Sequence, residues 1–314
     1  MIVDFHYHFS PRTLSEAAAR QRAEKQSTIW GRSARSKDKR SIEELTKDRI
    51  AMSDDPNGEK LLERMEMAGI DITVAFPLDN IALGLDDNTV LADNRACARM
   101  AERTKGKVIG FASIDPRRKD AARLFQTCIE EYGLKGLKWH PDNGYSPCSR
   151  ESYNVLEVAQ RLKVPLVTHT GCMYGNSKAT YSHPLLLDDV SADLPELTIV
   201  AAHCGHLLWR DWCASVYFKR NIYGDLAEWA IIAAGNYEYF CRFLREAMDI
   251  AGSDRIVFAT DGPGLELVVS NKAWIKLIKN LPLEAPAGIE FTEEEVASIL
   301  GGNAWKILSP LLEK

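Results

Sequence analysis

Short apolar runs alternate with longer amphipathic runs along almost the whole chain, and this alternation limits the fold more than any other feature. The apolar runs are short enough to be strands, whereas the segments between them carry apolar residues at helical spacing. Strands that alternate with helices pair in parallel through right-handed crossover connections. The eight strand candidates are Ile2–His6, Ile72–Phe76, Val108–Ile114, Leu134–Trp139, Val164–His169, Leu197–His203, Ile222–Leu226 and Ile256–Thr260.

Eight strand–helix units within 314 residues predict an α/β protein with the architecture of a (β/α)8 TIM barrel. The alternative is an open, doubly wound sheet. Sheets of that kind commonly carry a glycine-rich phosphate loop, GxGxxG or GxxxxGK followed by Ser or Thr, and neither motif follows a strand candidate here. The helix candidates after the last strand are Leu265–Ile278, Thr292–Leu300 and Asn303–Leu312.

Residues from about 10 to 58 form a polar segment, rich in Arg and Lys, after the first strand. Length alone favours two domains of about 150 residues, but this segment is too polar to build a core of its own. We therefore predict a single barrel domain over residues 1–314 with an insertion at about 10–58. The insertion could be a helical cap over the barrel mouth or a solvated loop. Its positive charges could attract an anionic substrate, although charge runs are usually solvated faces.

Composition and charge exclude several classes of function. The formal net charge is −5, whereas nucleic-acid binding requires a basic surface. No run approaches about 18 consecutive apolar residues, so we expect no membrane span, and the N-terminal MIVDFHYHF lacks the features of a secretory signal. The seven cysteines form no CxxC pair. This pattern favours reduced thiols in a cytoplasmic protein.

The first strand candidate and the residues after it contain an HxH pair. Residues i and i+2 of a strand point to the same face, so His6 and His8 project together from its C-terminal end. Active sites of β/α barrels lie at that end, and two imidazoles on one face are half of a metal site. HxH also occurs by chance at strand ends. Asp4 shares the face and either orients an imidazole or is an inward-facing polar residue of the barrel.

Polar residues recur at the C-terminal ends of other strand candidates. His140, His169 and His203 lie at or just past the ends of the fourth, fifth and sixth candidates, and Asp261 follows the eighth. Scattered histidines would not mark strand ends this often. Three imidazoles and one carboxylate suit Zn²⁺ or Mn²⁺. The candidate metal ligands are His6, His8, His169 and Asp261.

Six segments together resemble the amidohydrolase superfamily, in the branch that includes aminocarboxymuconate semialdehyde decarboxylase. They come in the order of the family and extend from the first strand to the final helix, whereas the segment at about 10–58 carries no family motif. The resemblance implies a (β/α)8 barrel with metal at its C-terminal mouth. The segments are MIVDFHYHF (Met1–Phe9), GLKWHP (Gly136–Pro141), VPLVTHTG (Val164–Gly171), IVAAHCG (Ile199–Gly205), IVFATDGP (Ile256–Pro263) and GGNAWKIL (Gly301–Leu308).

The resemblance also implies roles for the residues at the strand ends. His6 and His8 would be metal ligands from the first strand, and His169 the ligand from the fifth. Asp261 would contact both the metal and its water. His203 would lie beside the metal and assist catalysis in members with one ion, whereas in members with two ions it would bind the second.

Lys138 leaves the number of ions open. Members with two metals carry a carboxylated lysine at the end of the fourth strand, but GxKxHP is also common in members with one metal, where the lysine is unmodified. We expect one divalent ion, Zn²⁺ with Mn²⁺ as the alternative; Lys138 and His203 become ligands only if two ions bind. His140 could contact substrate or pack. Arg210 lies where some relatives bind a substrate carboxylate, or it forms a helix-surface salt bridge.

The expected chemistry is hydrolysis of a small molecule. A divalent metal lowers the pKa of bound water from about 15.7 to about 7. Asp261 could take the proton of this water and pass it to the leaving group, and His203 could hold the water or stabilise a developing oxyanion. We therefore predict a metal-dependent hydrolase of the amidohydrolase type that acts on a lactone, an amide or a related carboxylated substrate.

The same sequence features are compatible with two other functions. A metal-dependent, non-oxidative decarboxylase of an aromatic or enol acid would use the same ligands. A barrel that binds a ligand without metal and without catalysis is the third hypothesis. Relatives often pair through the barrel mouth, so the resemblance also implies a homodimer as one option.

Overall fold

The structure is a computed structural model and describes residues 1–175 and 177–313. Within these residues, parallel strands follow one another in sequence order, and each pairs with the next in two runs, β1 to β3 and β4 to β8. The strands are β1 (Val3–His8), β2 (Ile72–Phe76), β3 (Val108–Gly110), β4 (Leu137–Trp139), β5 (Leu166–His169), β6 (Ile199–Ala202), β7 (Ile222–Asp225) and β8 (Ile256–Val257).

Two seams close these runs into a barrel. Between β3 and β4 a single bridge pairs Ala112 with Leu137. Between β8 and β1, Tyr7 pairs with Gly262, and the amide of Phe5 donates to a carbonyl of the β8 segment at 3.0 Å. β1 therefore contacts both β2 and the β8 segment. The prediction of an α/β fold with (β/α)8 barrel architecture is confirmed.

Helices surround the barrel, so the strands are buried on both faces and are mostly apolar. None of the helices in the described parts of the chain is long and apolar enough to cross a membrane. The α-helices are α1 (Glu16–Lys25), α2 (Gly31–Ser33), α3 (Ile42–Ser53), α4 (Glu59–Ala68), α5 (Asp87–Arg103), α6 (Ala121–Glu130), α7 (Arg150–Leu162), α8 (Leu186–Asp193), α9 (Trp209–Phe218), α10 (Trp229–Gly235), α11 (Tyr237–Ala251), α12 (Asn271–Lys279), α13 (Leu281–Glu284), α14 (Glu293–Ala297) and α15 (Asn303–Leu312).

The segment between β1 and β2 is helical and packs on loops that follow the last strands. Ser41 and Glu44 form a capping box that starts α3. The side chain of Gln26, just after α1, donates to the carbonyl of Leu267 at 3.2 Å. Arg49 of α3 donates to the carbonyl of Gly264 at 3.2 Å. Both carbonyls belong to the loop after β8, at the C-terminal end of the barrel.

The prediction of one continuous helix over Leu265–Ile278 was wrong. A short 3₁₀ helix covers Gly264–Leu267, and α12 begins only at Asn271. The side chain of Ser270 accepts a hydrogen bond from the amide of Ala273 at 3.2 Å. Serine favours this N-cap position over a helix interior because its hydroxyl satisfies an otherwise free amide.

A buried ion pair fixes the loop after β2. Arg118 donates to both carboxylate oxygens of Asp79, each at 2.7 Å, and both side chains are buried. Replacing Asp79 by Ala leaves the buried guanidinium with Asp87, a half-exposed partner, as its remaining carboxylate. We expect the free energy of unfolding to fall by about 3 kcal/mol, as measured by denaturant titration. The control Asp87→Ala should cost less than about 1 kcal/mol, and equal losses in the two variants would contradict this account.

Candidate active site

β1 brings two histidines to the C-terminal end of the barrel. His6 is buried, His8 is one quarter exposed, and their Nε2 atoms lie 3.2 Å apart. The register with β2 shifts between Asp4 and Tyr7, so β1 contains one extra residue there. Bulges of this kind redirect side chains beside active sites. The imidazole nitrogens of His6 and His8 therefore lie side by side at the C-terminal end of β1.

Asp261 joins this pair from the loop after β8. Its Oδ1 lies 3.0 Å from Nε2 of His8 and 3.4 Å from Nε2 of His6. The residue has a φ of 56°, in the left-handed region, which costs on the order of 1–3 kcal/mol for a residue other than glycine. Burial raises the pKa of Asp261, but the hydrogen bond with His8 and the charge of His6 lower it further, so the pKa lies well below its usual value. The carboxylate is ionised.

Asp225, the last residue of β7, fixes the orientation of His6. Its Oδ2 accepts a hydrogen bond from Nδ1 of His6 at 2.8 Å, and its Oδ1 accepts from the amides of His203 and Ala227 at 2.8 and 3.0 Å. Burial and the charge of Lys138 lower the pKa of His6 to about 4. The ring is therefore neutral, and because Nδ1 carries its proton, Nε2 keeps a lone pair that faces the cluster.

A chain of hydrogen bonds orients His169 in the same way. Nδ1 of His203 donates to the carbonyl of Ala227 at 3.1 Å, so Nε2 of His203 accepts from Nδ1 of His169 at 3.0 Å. This leaves a lone pair on Nε2 of His169, which is buried and has no hydrogen-bond partner among the described residues. Burial lowers the pKa of His169 well below its usual value. A neutral, oriented imidazole of this kind suits metal binding.

The predicted ligands fall into two adjoining clusters. The ligand atoms within each cluster lie within 4.8 Å of one another. His169 is in the second cluster because its Nδ1 faces His203 and its ring stacks on His140, with centroids 5.1 Å apart. The ring of His203 links them, since its centroid lies 5.4 Å from that of His6. The first cluster is His6, His8 and Asp261; the second is His140, Asp142 and His169.

Lys138 and His140, at the end of β4, both reach these clusters. Nζ of Lys138 lies 3.1 Å from Nε2 of His6, and burial lowers the pKa of this lysine to about 8. Nδ1 of His140 lies 3.2 Å from Oδ1 of Asp142, while its Nε2 is buried without a partner among the described residues. His140 is therefore placed where a substrate could meet it.

Arg210 is not brought to the site. It lies on α9, and its guanidinium donates to Glu246 of α11 at 2.8 Å and covers the ring of Trp209 at 4.0 Å. The side chain is 68% exposed. The side chain extends along the outer helices. This arrangement is the helix-surface salt bridge that the sequence analysis gave as the alternative to binding a substrate carboxylate.

Asp225 is the residue that the sequence reasoning missed. It is the last residue of a strand that was recognised, and its position at the C-terminal end of that strand is the same signal that identified His169. Asp142, two residues after His140, was missed as well. Neither belongs to one of the family segments, so only the strand-end criterion could have found them.

The residues of the first cluster fit a divalent cation. The lone pair of His6 and the ionised carboxylate of Asp261 lie 3.4 Å apart in a site that excludes most water. Before a cation binds, the protons of Lys138 and His8 offset the repulsion between these electron-rich atoms, and a divalent cation would take their place. Imidazole nitrogen with carboxylate oxygen is a donor set that suits Zn²⁺ and Mn²⁺.

The fold and the site together define a β/α-barrel enzyme with an imidazole–carboxylate centre at the barrel mouth. The family model described as Amidohydrolase matches residues 3–309. The chain therefore belongs to the amidohydrolase family and is an enzyme of that superfamily.

Similar proteins include one curated relative and many solved structures. Protein fluG of Emericella nidulans is 30% identical over 118 residues, which are 36% of this chain and 13% of that protein. Several of the similar structures are decarboxylases. The dihydroxybenzoic acid decarboxylase of Polaromonas sp. JS666, with bound manganese and the inhibitor 2-nitroresorcinol, is 19% identical with a TM-score of 0.64 and covers 100% and 97% of the two chains. The 4-oxalomesaconate hydratase of Rhodopseudomonas palustris is 20% identical with a TM-score of 0.59 over 100% and 97%.

Proposed function

We propose that the protein is a metal-dependent, non-oxidative decarboxylase of a small aromatic acid. The observation that carries this proposal is the largely buried cluster of His6, His8 and Asp261 at the mouth of a barrel that is similar over its full length to decarboxylases. The hydrolase expected from the sequence would use the same residues. The decarboxylase has the better support because several of the similar solved structures are of decarboxylases.

The reaction sets two tasks for the site. The bond between the carboxylate carbon and the ring carbon breaks, carbon dioxide leaves, and the electron pair stays on the ring carbon until a proton reaches it. No oxidant and no water is consumed. The site must therefore hold the carboxylate and deliver one proton to carbon.

The residues of the cluster can divide these tasks. A divalent ion held by His6, His8 and Asp261, with His169 of the adjoining cluster as the proposed fourth ligand, would bind oxygens of the substrate and withdraw electron density from it. Asp261 is ionised in the free site, so it can accept a proton from a substrate hydroxyl and return it to the ring carbon. His203 is held by Ala227 and His169 and keeps the fifth-strand ligand in position. His140 contributes a free Nε2 for a substrate hydroxyl.

We propose one ion, with Mn²⁺ favoured over the Zn²⁺ expected from the sequence. Manganese is bound in the similar decarboxylase from Polaromonas, and nitrogen–oxygen donor sets accept both metals. Lys138 would be unmodified, because its Nζ lies within hydrogen-bond distance of the His6 nitrogen. Elemental analysis of the purified protein, with mass measurement of the peptide that contains Lys138, tests both statements.

Product analysis separates the two reactions. The purified, metal-loaded protein is incubated in ¹⁸O-labelled water with mono- and dihydroxybenzoates and, in parallel, with an aromatic lactone and an aromatic amide, and products are identified by mass spectrometry. We expect release of carbon dioxide and of a phenol without ¹⁸O in the phenol. Incorporation of solvent oxygen into an acid or alcohol product, without carbon dioxide, would overturn the decarboxylase and favour the hydrolase.

Replacing Asp225 by Asn tests how the first-strand ligand is positioned. The amide cannot supply the negative charge that stabilises the Nδ1–H of His6, so metal affinity should fall about 10–100-fold. Competition with a chelator measures the affinity. Asp249→Asn is the matched control, because Asp249 is exposed on α11, and its affinity should equal that of the wild type. Equal affinities in all three proteins would contradict the role given to Asp225.

A further inference from the structure

Lys25, the last residue of α1, is a buried cation that the proposed reaction does not use. Its side chain is 6% exposed. Nζ lies 3.8 Å from the ring centroid of Trp30 and 3.7 Å from that of Tyr174. Its polar neighbours are the Met173 sulfur at 3.5 Å and Oε1 of Glu228 at 3.8 Å.

The position of Lys25 follows from these contacts. Met173 and Tyr174 lie in the loop after β5, the strand that ends in His169, whereas Glu228 lies in the loop after β7. The ammonium group therefore reaches the barrel mouth between two loops whose strands carry site residues. The charge of Asp261 acts on Lys25 as well and raises its pKa, against the larger lowering that burial causes.

The ammonium group is poorly compensated for a buried charge. A charge-assisted hydrogen bond to a carboxylate is about 2.7–2.9 Å long. Glu228 at 3.8 Å is beyond this length, and among residues 1–175 and 177–313 the hydrogen-bond acceptor of Nζ is the Met173 sulfur rather than an oxygen. Two ring faces offset only part of the cost of burying the charge. An oxyanion is the group that this site lacks.

A second cation, Arg49, lies near Lys25 on the same aromatic ring, that of Trp30. Arg49 of α3 is buried, and its guanidinium lies 5.5 Å from the ring centroid of Trp30. Its partners are neutral: the side-chain oxygen of Gln26 at 2.7 Å and a backbone carbonyl. No carboxylate lies within ion-pair distance of Arg49 in the described residues. Lys25 thus has one carboxylate nearby, Glu228 at 3.8 Å, and Arg49 has neutral partners.

We propose that Lys25 binds a second carboxylate of the substrate, remote from the one that is lost, so that the substrate is an aromatic dicarboxylic acid. This inference rests on the proposed function. It gives the insertion between β1 and β2 a role in specificity, since the barrel supplies the reacting centre and α1 supplies the group that selects the substrate. Lys25 would contact substrate and no reacting atom.

The test compares two ligands that differ by one group. 4-Hydroxybenzene-1,3-dicarboxylate is 2-hydroxybenzoate with a second carboxylate para to the hydroxyl. Isothermal titration of the metal-loaded protein gives the Kd of each ligand. We expect the wild type to bind the dicarboxylate at least tenfold more tightly. Lys25→Met should abolish this preference and leave the Kd of 2-hydroxybenzoate within about twofold, because it removes the charge and keeps the apolar length of the side chain.

Two further variants separate charge from structure. Lys25→Arg keeps the positive charge and should restore most of the preference. Lys47→Met makes the same change at an exposed lysine of α3 and should bind both ligands as the wild type does. Thermal unfolding of each variant checks that the fold is intact.

Several results would overturn the proposal. The first is a wild type that shows no preference for the dicarboxylate, including a wild type that binds neither ligand. The second is a Lys25→Met protein that keeps the preference, and the third is a Lys25→Met protein that binds both ligands equally more weakly. The proposed function fails separately. Binding that depends on Lys25 without release of carbon dioxide refutes the decarboxylase, whereas decarboxylation without a preference for dicarboxylates refutes the role of Lys25.

Discussion

Replacing Asp261 by Asn should lower kcat of the metal-saturated enzyme about 10²–10⁴-fold, the range that general acid–base groups contribute. The carboxylate lies 3.0 Å from His8 and 3.4 Å from His6, and in the proposed reaction it transfers the proton. An amide has nearly the same shape and can still offer an oxygen to a metal, but it cannot carry this proton. Steady-state kinetics with the substrate found in the product analysis measure the effect.

The metal content of the Asp261→Asn protein must be measured beside its kcat. Full occupancy with a large loss of kcat supports proton transfer, whereas restoration of kcat by excess metal would show that the carboxylate serves only as a ligand. Asp254→Asn makes the same change at a half-exposed residue and should leave kcat unchanged. A kcat within tenfold of the wild type at position 261 would contradict the proposed role.

Removing the metal is the second change with a large expected effect. Dialysis against a chelator should abolish activity, and Mn²⁺ or Zn²⁺ should restore it, because the imidazoles and carboxylate of the cluster have no other electrophile to present to a substrate. The melting temperature should fall as well. A ligand present at about 1,000 times its Kd stabilises the folded state by about 4 kcal/mol, and calorimetry before and after dialysis measures the loss.

Mg²⁺ is the control for the metal experiment. It prefers oxygen ligands in octahedral geometry and should restore less activity than Mn²⁺ or Zn²⁺ at equal concentration. Full activity after metal removal, verified by elemental analysis, would show that the reaction does not require a metal. An unchanged melting temperature would contradict the claim that the ion is held by buried residues of the folded state.

The family segments and the strand-end positions together predicted much of the candidate site. His6 and His8 follow from the two-residue repeat of a strand, which is a property of the backbone alone. Asp261 and His169 were found because parallel strands of a barrel all end at one mouth, so a residue can be placed there without knowledge of its neighbours. The same criterion, applied to every strand, would also have found Asp225.

Pairings between distant residues could not be predicted in this way. Asp225 accepts a hydrogen bond from His6, 219 positions away in the chain, and Arg210 pairs with Glu246 rather than with a substrate. The contact between Lys25 and Tyr174 joins the insertion to a loop on another side of the barrel. The local periodicity of a sequence does not determine which of many chemically suitable side chains will pair.

The sequence by itself determined the alternation of strands and helices, the barrel and the strand ends that carry chemistry, because periodicity and turn-forming residues act over a few neighbouring positions. Only the tertiary structure decided which nitrogen of His6 and of His169 keeps its lone pair, and that Lys25 lies at the mouth. The physical reason is that proton positions and buried charges depend on the partners that closure of the barrel brings within about 3 Å.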